Sequence, residues 1–183
     1  SDGYKADEVA SPKFVKPLVD TTQTIQIITS DLFENQGATT LAEALRNSPG
    51  TGTFYVGENG NTTTGDAVNL RGFDAASSIF VDGMRDLGTA SRDLFNIQQI
   101  EVTKGAAGTD YGRSAPGGVI NMVSKQAMGG NALSAGISLG TDSQQRMTAD
   151  WNTSVSDSSA FRLNVMAQDS GVPGRDNVED NRW

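Results

Sequence analysis

The chain has 183 residues, a formal net charge of −8, 36% apolar residues before its 21 glycines are added, and neither cysteine nor histidine. That charge is wrong for a phosphate backbone, which is neutralised by stripes of Lys and Arg. The missing residue types remove disulfides, thiol nucleophiles, Ser-His-Asp catalysis and most zinc chemistry. No apolar run is long enough for a membrane-spanning helix. No charged-then-apolar leader opens the chain, so a signal peptide is expected to have been removed. Any contact with a membrane core would have to come through strands.

Residues 1–20 are polar, carry Pro12 and Pro17, and show no period, so they read as an extended leader. Thr24 to Thr29 is β-branched and partly alternating, a strand pattern. A short helical turn is expected over Asp31 to Gln36, stopped by Gly37. Thr40 and Glu43 have the spacing of a capping box before Leu41 and Leu45, one turn apart on a buried face. Asn47 to Gly50 ends that helix. Thr51 to Asp66 reads as a long glycine-rich loop holding Phe54 and Tyr55, and such loops are often functional. Strands are expected at Ala67 to Arg71 and Ser78 to Val81, the second closed by the turn pair Asp82-Gly83. A polar loop follows at Met84 to Arg92, then a turn of helix at Asp93 to Ile97. Strands at Ile100 to Lys104 and Val119 to Val123 flank the glycine-studded stretch Gly105 to Gly118. Short strands and helices without a repeated crossover helix point to a small α+β domain ending near Lys125.

After Gly130 the pattern changes. Leu133, Ala135, Ile137 and Leu139 alternate with small polar residues. Met147, Ala149, Trp151 and Val155 alternate with Arg146, Thr148, Asp150, Asn152 and Ser154, and Phe161, Leu163, Val165 and Ala167 with Arg162, Asn164 and Gln168. Three consecutive segments with one apolar and one polar face are compatible with an antiparallel sheet over a soluble core or with a transmembrane barrel.

Three blocks bear on that choice. They are Val68-Asn69-Leu70-Arg71-Gly72-Phe73, Ile79 to Asp86 (IFVDGMRD), and Ile100 to Gly105 (IEVTKG) running on through Tyr111 to Lys125 (YGRSAPGGVINMVSK). In order and spacing they resemble the plug domain of TonB-dependent siderophore receptors, and the wording of Val81 to Tyr111 is most similar to their catecholate group. The resemblance implies an α+β plug (mixed short strands and helices) followed by the first antiparallel strands of an outer-membrane β-barrel, 22-stranded in the intact family. It divides the chain into an extended periplasmic segment at 1–20, the plug at 21–127 and the first barrel strands at 128–183, and the barrel is expected to be truncated here. Asp169 to Asp180, acidic but without the spacing of a calcium loop, is expected to be the second extracellular loop, with Trp183 opening a fourth strand.

The function implied is TonB-dependent uptake of a ferric siderophore across the outer membrane, with no bond made or broken and no cofactor, the iron arriving with the substrate. TonB would grip an N-terminal box by strand addition. Glu8-Val9-Ala10 is too slight a match, so the box is expected upstream of residue 1. Arg71 and Lys104 would lock plug to barrel by pairing with wall glutamates; otherwise they are ordinary strand-end charges. Phe54, Tyr55, Arg85 and Arg92 lie in loops expected to face outward and are the residue types a trianionic ferric catecholate calls for. Gly105 to Gly118 lacks the Gly-Lys-Ser/Thr ending of a phosphate loop and reads as turn geometry. Two other classes stay open on residues alone. Asp82, Asp86 and Asp93 could serve an acid-carboxylate glycosidase, though carboxylates beside Asp-Gly are more often turn formers. A structural or adhesive surface β-protein would explain the strands but leaves the ordered blocks without a reason.

Overall fold

The computed structural model describes residues 24–46, 48, 51–54, 67–70, 73–74, 79–86, 92–104, 118–140, 144–172 and 175–182; Thr24, 51–54, 67–70, 73–74 and residues from 170 onward are described by their backbone alone. Outside that set lie the leader, the candidate box at Glu8 to Ala10, Gly105 to Gly117, Tyr55 and Arg71. The chain divides into two compact units, one ending at Ser124 and the other beginning at Lys125.

The N-terminal unit is built on a five-stranded sheet. Its strands are β1 (Thr24–Thr29), β5 (Ile79–Val81), β6 (Met84–Arg85), β7 (Ile97–Lys104) and β8 (Gly118–Ser124). They lie in the order β1-β7-β8-β5-β6, antiparallel throughout except for the parallel β8/β5 pair. Helices α1 (Ser30–Asn35) and α2 (Leu41–Leu45) supply Phe33, Leu41, Ala44 and Leu45 to one core with Ile28, Ile79, Ile100, Val102, Ile120 and Met122 of the sheet. α1 stops at Gly37, whose φ of +67° suits glycine, and the bonds Gly37 N to Glu34 O and Ala38 N to Phe33 O close a Schellman end.

α2 is capped as its sequence suggests, Thr40 Oγ1 accepting from the Glu43 amide at 3.4 Å. The return half differs: Glu43 Oε2 takes the Thr39 amide at 2.7 Å and the Thr39 hydroxyl at 3.2 Å, reaching one residue past the expected capping box. The loop expected from Thr51 begins instead as β2 (Thr51–Phe54), which pairs with β3 (Ala67–Leu70), itself paired with β4 (Phe73–Asp74). The expected helical turn at Asp93 to Ile97 is not helical. Asp93 bridges to Thr40, its Oδ1 accepts the Phe95 amide at 3.0 Å, and β7 starts at Ile97. An aspartate that satisfies the backbone two residues on favours a turn over a helix start.

The C-terminal unit is an antiparallel meander, β9 (Ala132–Leu139), β10 (Gln145–Ser156), β11 (Ser159–Val172) and β12 (Arg175–Arg182), ordered β12-β11-β10-β9. Pairing Trp151 with both Leu133 and Leu163 puts the apolar residues of three strands on one face. The acidic segment expected to be a loop is largely strand, since β11 runs to Val172 and β12 pairs Arg182 with Gln168. Its charges obscured a ladder made by the backbone. Among the described residues no helix is long and apolar enough to cross a membrane.

Candidate functional site

The Asp82-Gly83 pair closes β5 and β6 with φ of +50° and +80°, the double positive φ of a type I′ hairpin turn. Asp82 is fixed there by its Oδ1, which accepts the Ser124 amide at 2.8 Å, and by its own amide, which donates to Met122 O at 2.9 Å. The hairpin presents Met84, 74% exposed, and the exposed Arg85, whose guanidinium carbon lies 5.6 Å from the centroid of the buried Phe80 ring. That distance suits a cation–π contact, which holds the cation on a fixed platform.

Arg85 ends a cross-strand row. Pairing aligns Ile27 with Glu101, Glu101 with Asn121, Asn121 with Phe80, and Phe80 with Arg85. Glu101 is 2% exposed and accepts from Gln99 Nε2 at 2.7 Å and Asn121 Nδ2 at 3.2 Å. Asn121 Oδ1 accepts the Gly83 amide at 3.0 Å, so the buried carboxylate is linked to the hairpin turn. In the sequence Glu101 and Asn121 look like polar positions of half-exposed strands. Only burial of both sheet faces shows otherwise.

Arg92, the second candidate cation, donates from Nε to Asp86 Oδ2 at 2.8 Å, with the arginine side chain 9% exposed. Asp86 continues the β5/β6 pairing through its amide to Ile79 O, and Arg92 O accepts from Leu41 N at the start of α2. Arg85 and Arg92 are thus both held at the β6 end of the sheet. Lys104 lies on the other face, at the far end of β7, where its Nζ donates to Gln26 Oε1 at 3.2 Å. Gln26 Oε1 also accepts from Ser48 Oγ at 2.6 Å. Phe54 is placed as the last residue of β2 by its backbone only, and Tyr55 and Arg71 lie outside the described residues. The three carboxylates an acid enzyme would need are otherwise engaged: Asp82 and Asp93 hold turns, and Asp86 holds Arg92.

In the C-terminal unit, Leu133, Ile137, Leu139, Met147, Trp151, Val155, Phe161, Leu163 and Val165 are 44–79% exposed. Trp151 and Phe161 meet edge to face, 6.1 Å between centroids. The reverse face is polar: Arg162 grips Asp150 with two bonds of 2.9 and 2.7 Å, and Arg146 Nη1 donates to Gln168 Oε1 at 2.8 Å, while the buried Asn164 Oδ1 accepts no hydrogen bond among the described residues. Apolar outside and polar groups inside is the strand pattern of a membrane barrel wall.

Residues 17–119 match the family described as the TonB-dependent Receptor Plug Domain. The chain belongs to that family. Over 180 residues it is 49% identical to the catecholate siderophore receptor Fiu of Escherichia coli K12, covering 98% of this chain and 24% of that protein. The probable TonB-dependent siderophore receptor PiuA of Acinetobacter baumannii is 39% identical over 176 residues, 96% of this chain and 23% of its own length. The chain therefore spans about a quarter of these relatives. Among solved structures, the closed form of the ferric-catecholate import receptor Fiu superimposes with a TM-score of 0.91 at 49% identity, covering 98% of this chain and 25% of that one. The N-terminal unit is accordingly an α+β plug, and β9 to β12 follow the course of a receptor's opening barrel strands.

Proposed function

We propose that this chain is the plug and opening barrel strands of a TonB-dependent receptor that carries a ferric siderophore, of catecholate type, across the outer membrane. The observation behind this reading is that 49% identity to a catecholate receptor runs through 98% of the chain and so through both units. Transport of this kind needs binding and two conformational states, with no covalent chemistry. Substrate binds on the outward plug surface; TonB takes hold of the N-terminal segment on the periplasmic side and draws on the plug. Residues 1–20 belong to that segment, 21–127 to the plug and 128–183 to the wall. Arg71 and Lys104 supply the plug's cations toward carboxylates of the barrel.

A ferric tris-catecholate is a flat-sided trianion, and cations set against aromatic rings suit it. Phe54, Tyr55, Arg85 and Arg92 are assigned to that ligand. Arg85 leads, because it is exposed while resting on Phe80. Arg92 is committed to Asp86 and contributes its charge through that pair. In the full-length receptor, Arg85→Ala should weaken ferric-catecholate binding about ten- to a hundredfold, the loss of one charge-assisted contact. A ferric hydroxamate complex of no net charge should lose far less. Equal binding of the catecholate by wild type and Arg85→Ala would move the determinants to barrel loops, and no uptake of any ferric catecholate by the wild type would overturn the reading.

A further inference from the structure

Residues 125–131 connect β8 to β9 and form no strand, yet β10 and β11 hold them at nearly every step. Asn152 Oδ1 accepts the Met128 amide at 2.9 Å, and Asn152 Nδ2 donates to the carbonyls of Met128 and Gly130, each at 2.9 Å. A side-chain amide bonded to both N–H and C=O of one residue substitutes for a neighbouring strand. Next along, Gly130 N donates to Ser154 Oγ at 2.6 Å, and Asn131 Oδ1 accepts from Thr153 Oγ1 at 2.9 Å and Ser154 N at 3.1 Å. Upstream, Arg162 Nη1 donates to the Gln126 carbonyl at 2.9 Å, and Lys125 Nζ lies 3.4 Å from Asp150 Oδ2.

Asp150, Asn152 and Ser154 are alternate residues of β10, so they face the same side at steps of about 7 Å. They take successive parts of the strap in order. Gly130, at φ +103°, then turns the chain into β9, where Ala132 pairs with Asn152 itself. Asn152 is 3% exposed, which seals this amide from competing water.

We infer that Asn152 is the positioning residue of an anchor that fixes residues 125–131 to the strand wall. The chain leaving the plug is then held at its first residues, and a pull applied from the N-terminal end is borne by the plug sheet and not by the connection. This rests on the transport reading above. The magnitude makes the point: seven residues, Lys125 to Asn131, would extend to about 24 Å if released, enough slack to absorb a displacement before tension built in the sheet. An asparagine is suited to the task because it offers an acceptor and two donors in one plane.

The test uses the full-length receptor with Asn152→Ala, and with Thr148→Ala as a control on the same face of β10. Hydrogen exchange at the Met128 amide should quicken by about tenfold or more in Asn152→Ala, because that amide loses its acceptor, Asn152 Oδ1. β7 and β8 should keep their protection, and Thr148→Ala should match wild type. In cells, Asn152→Ala should bind ferric catecholate with unchanged affinity and lose uptake rate. Exchange at the wild-type rate, exchange raised equally across β7 and β8, or quickened strap exchange with undiminished uptake would each overturn the anchor. Wild-type uptake in the same cells reports on the transport reading separately, and the exchange measurement does not depend on it.

Discussion

Glu101 lies 2% exposed in a strand whose neighbours are Ile100 and Val102, and a buried carboxylate is tolerated only when its lone pairs are occupied. Gln99 and Asn121 each contribute a bond, and Asn121 passes the connection on to the Gly83 amide. Asn121→Ala should therefore cost about 1–3 kcal/mol, because it strips a donor from Glu101 and an acceptor from Gly83 together. Asn121→Asp should cost more: it keeps the acceptor for Gly83 but sets a second carboxylate against Glu101. Urea unfolding of the two variants should give the order wild type, then Asn121→Ala, then Asn121→Asp; the reverse order would show that Glu101 is not held as a carboxylate through Asn121. At this scale the sequence was only partly readable. Arg85 was singled out as a cation in a loop expected to face outward, and the structure places it on the β5/β6 hairpin. Glu101, Asn121 and Asn152 could not, since a polar residue on a strand gives no local sign of which face will be buried.

At the scale of elements, the strands read well where side chains alternate and poorly where the backbone alone makes the ladder. β9 and β10 were visible as alternation, and α1 and α2 as a glycine stop and a threonine cap. β2 was hidden in Thr51-Gly52-Thr53-Phe54, too short and small to show a period, and it exists because β3 pairs with it. β12 was hidden by its charges, and the two residues of β6 by their brevity. The glycines sharpen the point, because Gly83 and Gly118, two of the four described glycines with positive φ, have it for different reasons. A Cβ at Gly83 would meet nothing within 4 Å, so Gly83→Ala should cost only the backbone strain of positive φ, about 1–2 kcal/mol. Gly118 has φ +128°, and a Cβ there would collide with the Thr103 carbonyl oxygen and crowd Lys104 Cα at 3.1 Å, both backbone atoms of β7. Gly118→Ala adds that overlap to the strain and should cost about 3–5 kcal/mol, enough to part β7 from β8. Thermal unfolding of the pair separates the two causes, and equal losses would contradict the close approach.

For the molecule as a whole, the open question from sequence was whether the alternating strands cover a soluble core or face lipid. Nine large apolar side chains on one face, each 44–79% exposed, exceed what a soluble monomer normally leaves bare. The reverse face carries Arg146, Asn152 and Gln168, all buried and bonded, which is the wrong content for the core side of a soluble sheet. The two sides can be told apart by a charge. Val165 is 50% exposed, pairs with Ala149 and lies near the middle of the apolar stretch of β11. If that face meets lipid at mid-depth, Val165→Arg in the full-length receptor should cost about 2–4 kcal/mol of stability in a bilayer. On a water-facing sheet the same substitution should change stability by about 0.5 kcal/mol or less. Asn164, its chain neighbour on the opposite face, provides the internal comparison, since an added cation there meets the polar interior. Reversible unfolding from lipid vesicles measures both. A large loss for Val165→Arg with a smaller one for Asn164→Arg supports the barrel wall, and a negligible loss for Val165→Arg would remove it.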